Sequence, residues 1–309
     1  MRAWTGTGRP ERPLDWTTVD RPRPGPGEVL VAVEAFSINR GETFLLEPGG
    51  PLPQPAPGWR PGKDIAGTVA ESGVAGLPVG TRVVGHVASA GWAEFAVVPV
   101  DAVAVLPAAV STRTAAALPL AGLTALRVVR VLGSLAGKRV LLTRASGGVG
   151  HYLVELAAAQ GALVTAVVST PERGKRLAAM GAEIALDVGD AIGPFDVAIE
   201  SVGGAVFPAV WSQLADGGTL LWLGQASRTP VTLDFFDWTG GANATLRKFH
   251  YLDDDRTVAG DLATPARLVE HGHLHPEIDS VRDWGETPDA VRALVNREVR
   301  GNVVLAVAS

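Results

Sequence analysis

Val140-Leu-Leu-Thr-Arg-Ala-Ser-Gly-Gly-Val-Gly150 runs from an apolar β-type segment through a turn of small residues into a helical pattern that continues to Gln160. With Ala145 in the first place, it matches the dinucleotide pattern G-x-G-x-x-G between a strand and a helix. Gly147 lets backbone approach a pyrophosphate, Gly150 lets the helix pack on the strand, and the helix start supplies free N–H groups and a positive dipole end. Ser146, Gly147, Gly148, Val149 and Gly150 are therefore assigned to a cofactor. A carboxylate at the tip of the next strand, about 20 residues on, would hold the ribose 2′-hydroxyl of NAD. Here the tip is Ser169, followed by Thr170, Arg173, Lys175 and Arg176. A hydroxyl with cations suits a 2′-phosphate, so NADPH is the expected cofactor, with Ser169, Arg173 and Arg176 around that phosphate. Glu172, at a helix start after Pro171, is read as serving the helix dipole.

Outward from this loop, apolar runs alternate with helical stretches. Val140–Thr143, Leu163–Val168, Val197–Glu200 and Thr219–Leu223 read as strands; Val149–Gln160, Pro171–Met180 and Val206–Leu214 read as helices. Such alternation calls for an α/β fold, a Rossmann-type doubly wound parallel sheet. Upstream, Gly27 to Val105 is a series of short β-branched runs cut by Gly and Pro, a compact β unit. Ala115 to Val131 reads as one long helix capped by Ser111 or Thr112. The stretch 46–61 holds six prolines and is neither helix nor interior strand. Helices are expected at Asp261–Glu270 and Thr287–Arg297, and a last strand, Val303–Val307, is expected to return to the β unit. The domains are thus 1–117 with 258–309, and 118–257.

Hydrophobic residues make up 47% of the 309 residues and charged residues 19%, with 27 Lys and Arg against 32 Asp and Glu. A net charge of −5 argues against nucleic acid or an anionic membrane as partner. There is no cysteine, which removes disulfides, thiolate catalysis, Fe–S clusters and Cys-based zinc sites. The longest apolar stretch, Ala115 to Leu126, ends at Arg127, short of the about 20 residues a bilayer crossing needs. Met1-Arg-Ala-Trp-Thr-Gly-Thr-Gly8 has no apolar run, so no signal peptide is expected and the expected location is cytoplasmic.

Pro61-Gly-Lys-Asp-Ile-Ala-Gly-Thr-Val69, Val79-Gly-Thr-Arg-Val83, Gly91-Trp-Ala-Glu-Phe95, Ala121-Gly-Leu-Thr-Ala125, Phe195-Asp-Val-Ala-Ile-Glu-Ser-Val-Gly-Gly204 and Arg300-Gly-Asn-Val-Val-Leu305 occur in order beside the phosphate loop. Together they resemble the medium-chain dehydrogenase/reductase superfamily, in its zinc-free quinone oxidoreductase and enoyl reductase branch. The resemblance runs almost end to end. It implies a GroES-like β domain formed by both chain ends, a Rossmann domain between them, and commonly a homodimer. Zinc-dependent relatives hold catalytic zinc with Cys and His ligands; the matching positions here look like Asn39, Lys63 and Leu120, so no metal is expected. A Tyr that often follows the Asn39 position in the zinc-free branch is replaced nearby by Phe44.

The expected reaction is hydride transfer from NADPH to a quinone or an α,β-unsaturated carbonyl. Alternatives are a ketone reductase, a tailoring enzyme on a polyketide-like intermediate, and a non-catalytic NADPH-binding protein. Negative charge developing on the substrate carbonyl needs a donor. Lys63 is a candidate cation, Asn39 a candidate for orienting nicotinamide or substrate, and Tyr251 a candidate proton source. Thr124, Gly203, Gly224, Gln225 and Asn302 are further expected cofactor contacts. Phe44, Trp59, Trp92 and Trp238 are expected to line the pocket for a small carbonyl or quinone.

Overall fold

The computed structural model describes residues 1–47, 50–236, 239–252 and 257–308. Trp238, assigned above to the substrate pocket, lies outside the described residues. The chain divides into two compact units, Met1–Leu123 with Asp255–Ser309, and Thr124–Asp254. The boundaries read from sequence lie a few residues from these.

The first unit begins with the antiparallel pair β1 (Arg2–Gly6) and β2 (Leu14–Thr18). There follow β3 (Glu28–Ser37), α1 (Arg40–Leu46), β4 (Asp64–Ser72), β5 (Arg82–His86), β6 (Phe95–Pro99), β7 (Val103–Val105), α2 (Thr112–Ala116) and α3 (Pro119–Leu132). The last of these helices crosses the boundary between units. The expected single helix over 115–131 is thus two. Pro119 has no N–H to continue the ladder and opens α3, while Ser111 caps α2 through Thr114 N.

In the second unit come β8 (Arg139–Leu142), α4 (Gly148–Ala158), β9 (Leu163–Val167), α5 (Pro171–Ala179), β10 (Glu183–Ala185), β11 (Phe195–Glu200), α6 (Val206–Trp211), β12 (Leu214–Trp222) and β13 (Thr245–Lys248). Among the described residues these strands form one parallel sheet in the order β10-β9-β8-β11-β12-β13. The order reverses beside β8, the arrangement that opens a ligand crevice at the strands' carboxyl ends. The expected helix 206–214 is shorter than read, because Leu214 already pairs with Phe195 as the start of β12.

Back in the first unit, the chain adds α7 (Val258–Glu270), β14 (Ile278–Asp283), α8 (Thr287–Val295) and β15 (Asn302–Ala306). β15 pairs with β3, so the chain's last strand completes the sheet β14-β15-β3-β4-β5-β7, with β6 also on β3.

Alternation along β3 sends Val29, Val31 and Val33 into the first core, beside Phe36, Ile65 and Trp92. Trp92 is a correction to the pocket assignment. Its ring is fully buried, stacks on Phe36 at 5.8 Å, and donates Nε1–H to Ser37 O at 3.3 Å. A side chain spent on the core has no surface left to line a pocket. Trp59 is partly buried against the same core, and its carbonyl accepts from Gly6 N at 2.7 Å, which pins the proline-rich segment to β1.

Candidate functional site

In the first unit the sheet register assembles a buried polar cluster. Asp64 opens β4 and stands opposite Ser37 of β3 on one side and His86 of β5 on the other. All three side chains are buried, and Asp64 is 0% exposed. Ser37 Oγ donates to Asp64 Oδ2 at 2.9 Å, and His86 Nδ1 lies 3.0 Å from Asp64 Oδ1. A carboxylate only accepts, so Nδ1 carries the proton.

The approach to Asp64 is set by Gly62. Its φ of +113° and a would-be Cβ 2.2 Å from Trp92 N exclude any side chain there. The strand therefore enters tightly, with Gly91 N bonded to Gly62 O and Val87 N to Lys63 O. Lys63 is half-buried at this point.

Asn39 is the N-cap of α1, and its Nδ2 donates to Asp64 Oδ2 at 2.7 Å. One turn on, Glu42 Oε2 accepts the Asn39 backbone N–H at 2.9 Å, while Glu42 Oε1 is buried with no partner among the described residues. Burial, with the neighbouring Asp64 charge, pushes the Glu42 carboxyl up to about 8, against a smaller pull downward from Lys63. Phe44, on the same helix, is half-buried under the Arg40 guanidinium at 4.9 Å.

The second unit carries the phosphate loop. Gly147 is the N-cap of α4 and has no side-chain cap, which leaves the first N–H groups of an 11-residue helix without an internal acceptor. An added Cβ at Gly150 would lie 2.4 Å from Ala145 O, so only glycine lets α4 close onto the loop. His151, next in α4, is buried, and its Nδ1 lies 3.2 Å from Gly147 O. Burial drops its pKa to about 3 and keeps the ring neutral.

Because the sheet is parallel, the segments after β8, β9, β11 and β12 emerge along one edge. Ser169 and Thr170 are exposed after β9, and Thr170 caps α5 by accepting from Arg173 N, so Arg173 sits on the first turn of that helix and Arg176 on its last. After β11, the Glu200 carboxylate accepts from Val202 N at 2.5 Å and from Gly203 N at 3.0 Å, and Thr143 Oγ1 lies 3.4 Å away. Burial raises the Glu200 carboxyl above the usual range. An added Cβ at Gly203 would lie 2.6 Å from Gln225 Cγ, so the loops holding Gly203, Gly224 and Gln225 are in contact.

The structure thus groups Ser146 to Gly150, Ser169, Arg173, Arg176, Gly203, Gly224 and Gln225 on one unit and Asn39 with Lys63 on the other. Asn302 lies on β15, buried, with its Nδ2 donating to Glu277 O at 3.3 Å. Tyr251 follows β13 in a turn rather than on a strand; Arg127 Nη1 donates to its backbone carbonyl at 2.5 Å. Ser37, Glu42, Asp64, His86, Thr143 and Glu200 were not singled out from sequence. Asp64 and Glu200 stand inside quoted motifs, but what they bind is set by strand register for Asp64 and by the turn after β11 for Glu200.

Two groups test against these residues. For a dinucleotide the fit is good: an uncapped helix start, a loop that admits no side chain at Gly150, and a buried Thr124 Oγ1 with no hydrogen-bond partner among the described residues. For zinc, the positions that by resemblance match its ligands carry the Asn39 amide, the Lys63 ammonium and the Leu120 side chain, none of them a thiolate or imidazole. Among the described residues no group of three or more His, Asp or Glu is placed to hold a metal ion.

Residues 25–108 match the alcohol dehydrogenase GroES-like domain, and residues 178–305 match the zinc-binding dehydrogenase family. A chloroplast envelope quinone oxidoreductase homolog from Arabidopsis thaliana is 35% identical over 94% of this chain and 93% of its own length. The acrylyl-CoA reductase AcuI of Ruegeria pomeroyi is 34% identical over 65% of this chain and 66% of its own. The structure of mycobacterial Rv1454c complexed with NADPH superposes with a TM-score of 0.86 at 26% identity, covering 99% of both chains.

Proposed function

Because the chain belongs to the medium-chain dehydrogenase/reductase superfamily, in its zinc-free quinone oxidoreductase branch, we propose that it is an NADPH-dependent reductase of quinones or α,β-unsaturated carbonyls. In this reading it works without metal, as a cytoplasmic homodimer. NADPH, when bound, supplies a hydride. Ala145 to Gly150 and the start of α4 hold the pyrophosphate, and Thr124 gives its hydroxyl to the cofactor. Ser169, Arg173 and Arg176 take the 2′-phosphate, with Gly203, Gly224 and Gln225 toward the nicotinamide half.

In the other unit Lys63 supplies the cation that the substrate oxygen needs as negative charge develops on it. Asn39 orients the reacting partners. Tyr251 is retained as a proton source, and Phe44 and Trp59 as pocket walls.

The observation that carries the reading is the carboxyl edge of the parallel sheet. There an uncapped helix start follows one strand, and Ser169 and Thr170 with Arg173 follow the next, where the strand tip is a serine rather than a carboxylate and Glu172 serves the start of α5. Titration with NADPH and NADH, followed by reduced-nicotinamide absorbance with a panel of quinones and enones, tests it. Consumption of NADPH with at least one acceptor is expected; binding of neither cofactor overturns it. The variant Arg173→Glu tests the 2′-phosphate assignment. A charge-assisted contact of about 1.5–3 kcal/mol is worth roughly tenfold to a hundredfold in NADPH affinity, with NADH little changed. Equal losses for both contradict the assignment.

A further inference from the structure

We propose that Asp64 is the positioning residue of the site: its one carboxylate ties together Asn39 and the start of α3, two of the places that by resemblance match metal-ligand positions of zinc-dependent relatives. The inference rests on the functional reading above for Asn39's role, and on geometry alone for the tie itself.

Each oxygen of Asp64 accepts twice. Oδ2 takes Ser37 Oγ at 2.9 Å and Asn39 Nδ2 at 2.7 Å; Oδ1 takes Leu120 N at 3.1 Å and His86 Nδ1 at 3.0 Å. Three segments far apart in sequence meet on two atoms: the end of β3 running into the cap of α1, the end of β5, and the first turn of α3. Leu120 N is one of the N–H groups that a helix start leaves without an internal acceptor, and α3 opens with Pro119, which has none to offer. A carboxylate is the charge that such a helix end favours, so Asp64 serves as an anion for α3 while it orients Asn39. A zinc ion would hold such places together as a central cation that accepts lone pairs from anionic or imidazole ligands. Here the sign is inverted: a central anion is surrounded by donors.

That inversion accounts for the residue types at these positions. Asn39 can donate to a carboxylate where a thiolate could not. The position of Leu120 needs no functional side chain, because its backbone N–H makes the contact. His86 and Ser37 come into place through the register on either side of β4. The 0% exposure of Asp64 shields these contacts from competing water.

The test uses Asp64→Asn, Asn39→Ala, the double variant, His86→Gln and His86→Ala in the full chain. With any acceptor the wild type reduces, Asp64→Asn is expected to lower kcat by ~100-fold, the scale of losing a reacting group's alignment, and to leave the KM for NADPH within about twofold. Asn39→Ala should cost a similar factor and the double variant little more than either, because the two act as one unit. His86→Gln, which retains a side-chain donor, should keep most of the activity, while His86→Ala, which removes it, should lose activity and covers the case in which Asp64→Asn fails to fold. Multiplying losses in the double variant, or a lowered melting temperature with kcat intact, overturn the proposal.

A second readout needs no turnover. The Asn39 side-chain amide protons should exchange slowly with solvent in wild-type protein and in His86→Gln, and faster, by tenfold or more, in Asp64→Asn or in His86→Ala, which removes the donor; unchanged exchange in these last two refutes the tie. A wild type that reduces no acceptor defeats the functional reading alone, and amide exchange then decides the tie.

Discussion

Glu42 and His151 are buried titratable groups held in their uncharged forms, and the two leave opposite marks on stability. The Glu42 carboxyl is pushed up to about 8 by burial and by Asp64, so between about pH 4.5 and 8 the folded chain holds a proton that the unfolded chain has released. Its contribution is full below pH 4.5 and is lost as pH rises toward 8. The melting temperature of Glu42→Gln relative to wild type should therefore climb across that interval, and a constant difference would contradict the assignment. His151 runs the other way. Its pKa falls to about 3, so below about pH 6.5 the unfolded chain takes up a proton that the folded chain refuses, and stability falls with acid. His151→Gln should flatten the melting profile between pH 3 and 6.5. Little of this was legible in the sequence. Neither residue was singled out from the chain alone, because a shifted pKa comes from what surrounds a group, and burial and neighbours are tertiary facts.

At the scale of elements, the phosphate loop was the most legible part of the chain. Strand, turn and helix stand where the pattern puts them, since Gly150 encodes a backbone approach that no other residue permits. Gly150→Ala would bring a methyl group within 2.4 Å of Ala145 O. It should cost about 1–3 kcal/mol in thermal unfolding, the usual range for overpacking, and weaken NADPH in a fluorescence titration. Wild-type binding by this variant would remove the loop from the cofactor site. The helices flanking Pro119 were less legible, because Ala115 to Val131 carries one unbroken apolar pattern and the break comes from a missing N–H. The polar cluster at the head of β4 was legible only as separate motifs. Ser37, Asp64 and His86 become neighbours through strand register, which a list of motifs does not contain.

At the scale of the molecule, both ends of the chain build one unit while an unbroken middle segment builds the other, and β15 beside β3 is the join that makes this so. The absence of cysteine reaches the same scale. Without thiolates the positions that by resemblance match zinc ligands hold an amide, an ammonium and a leucine, and the buried Asp64 gathers two of those segments around itself. The central claim is therefore hydride transfer from NADPH that needs no metal. Its most direct measurement is NADPH oxidation by quinones and enones before and after exhaustive dialysis against a strong chelator, with metal content determined in the same samples. The same rate is expected in chelated protein as in untreated protein, with no gain when zinc is restored. A rate that disappears on chelation and returns with zinc would contradict that claim.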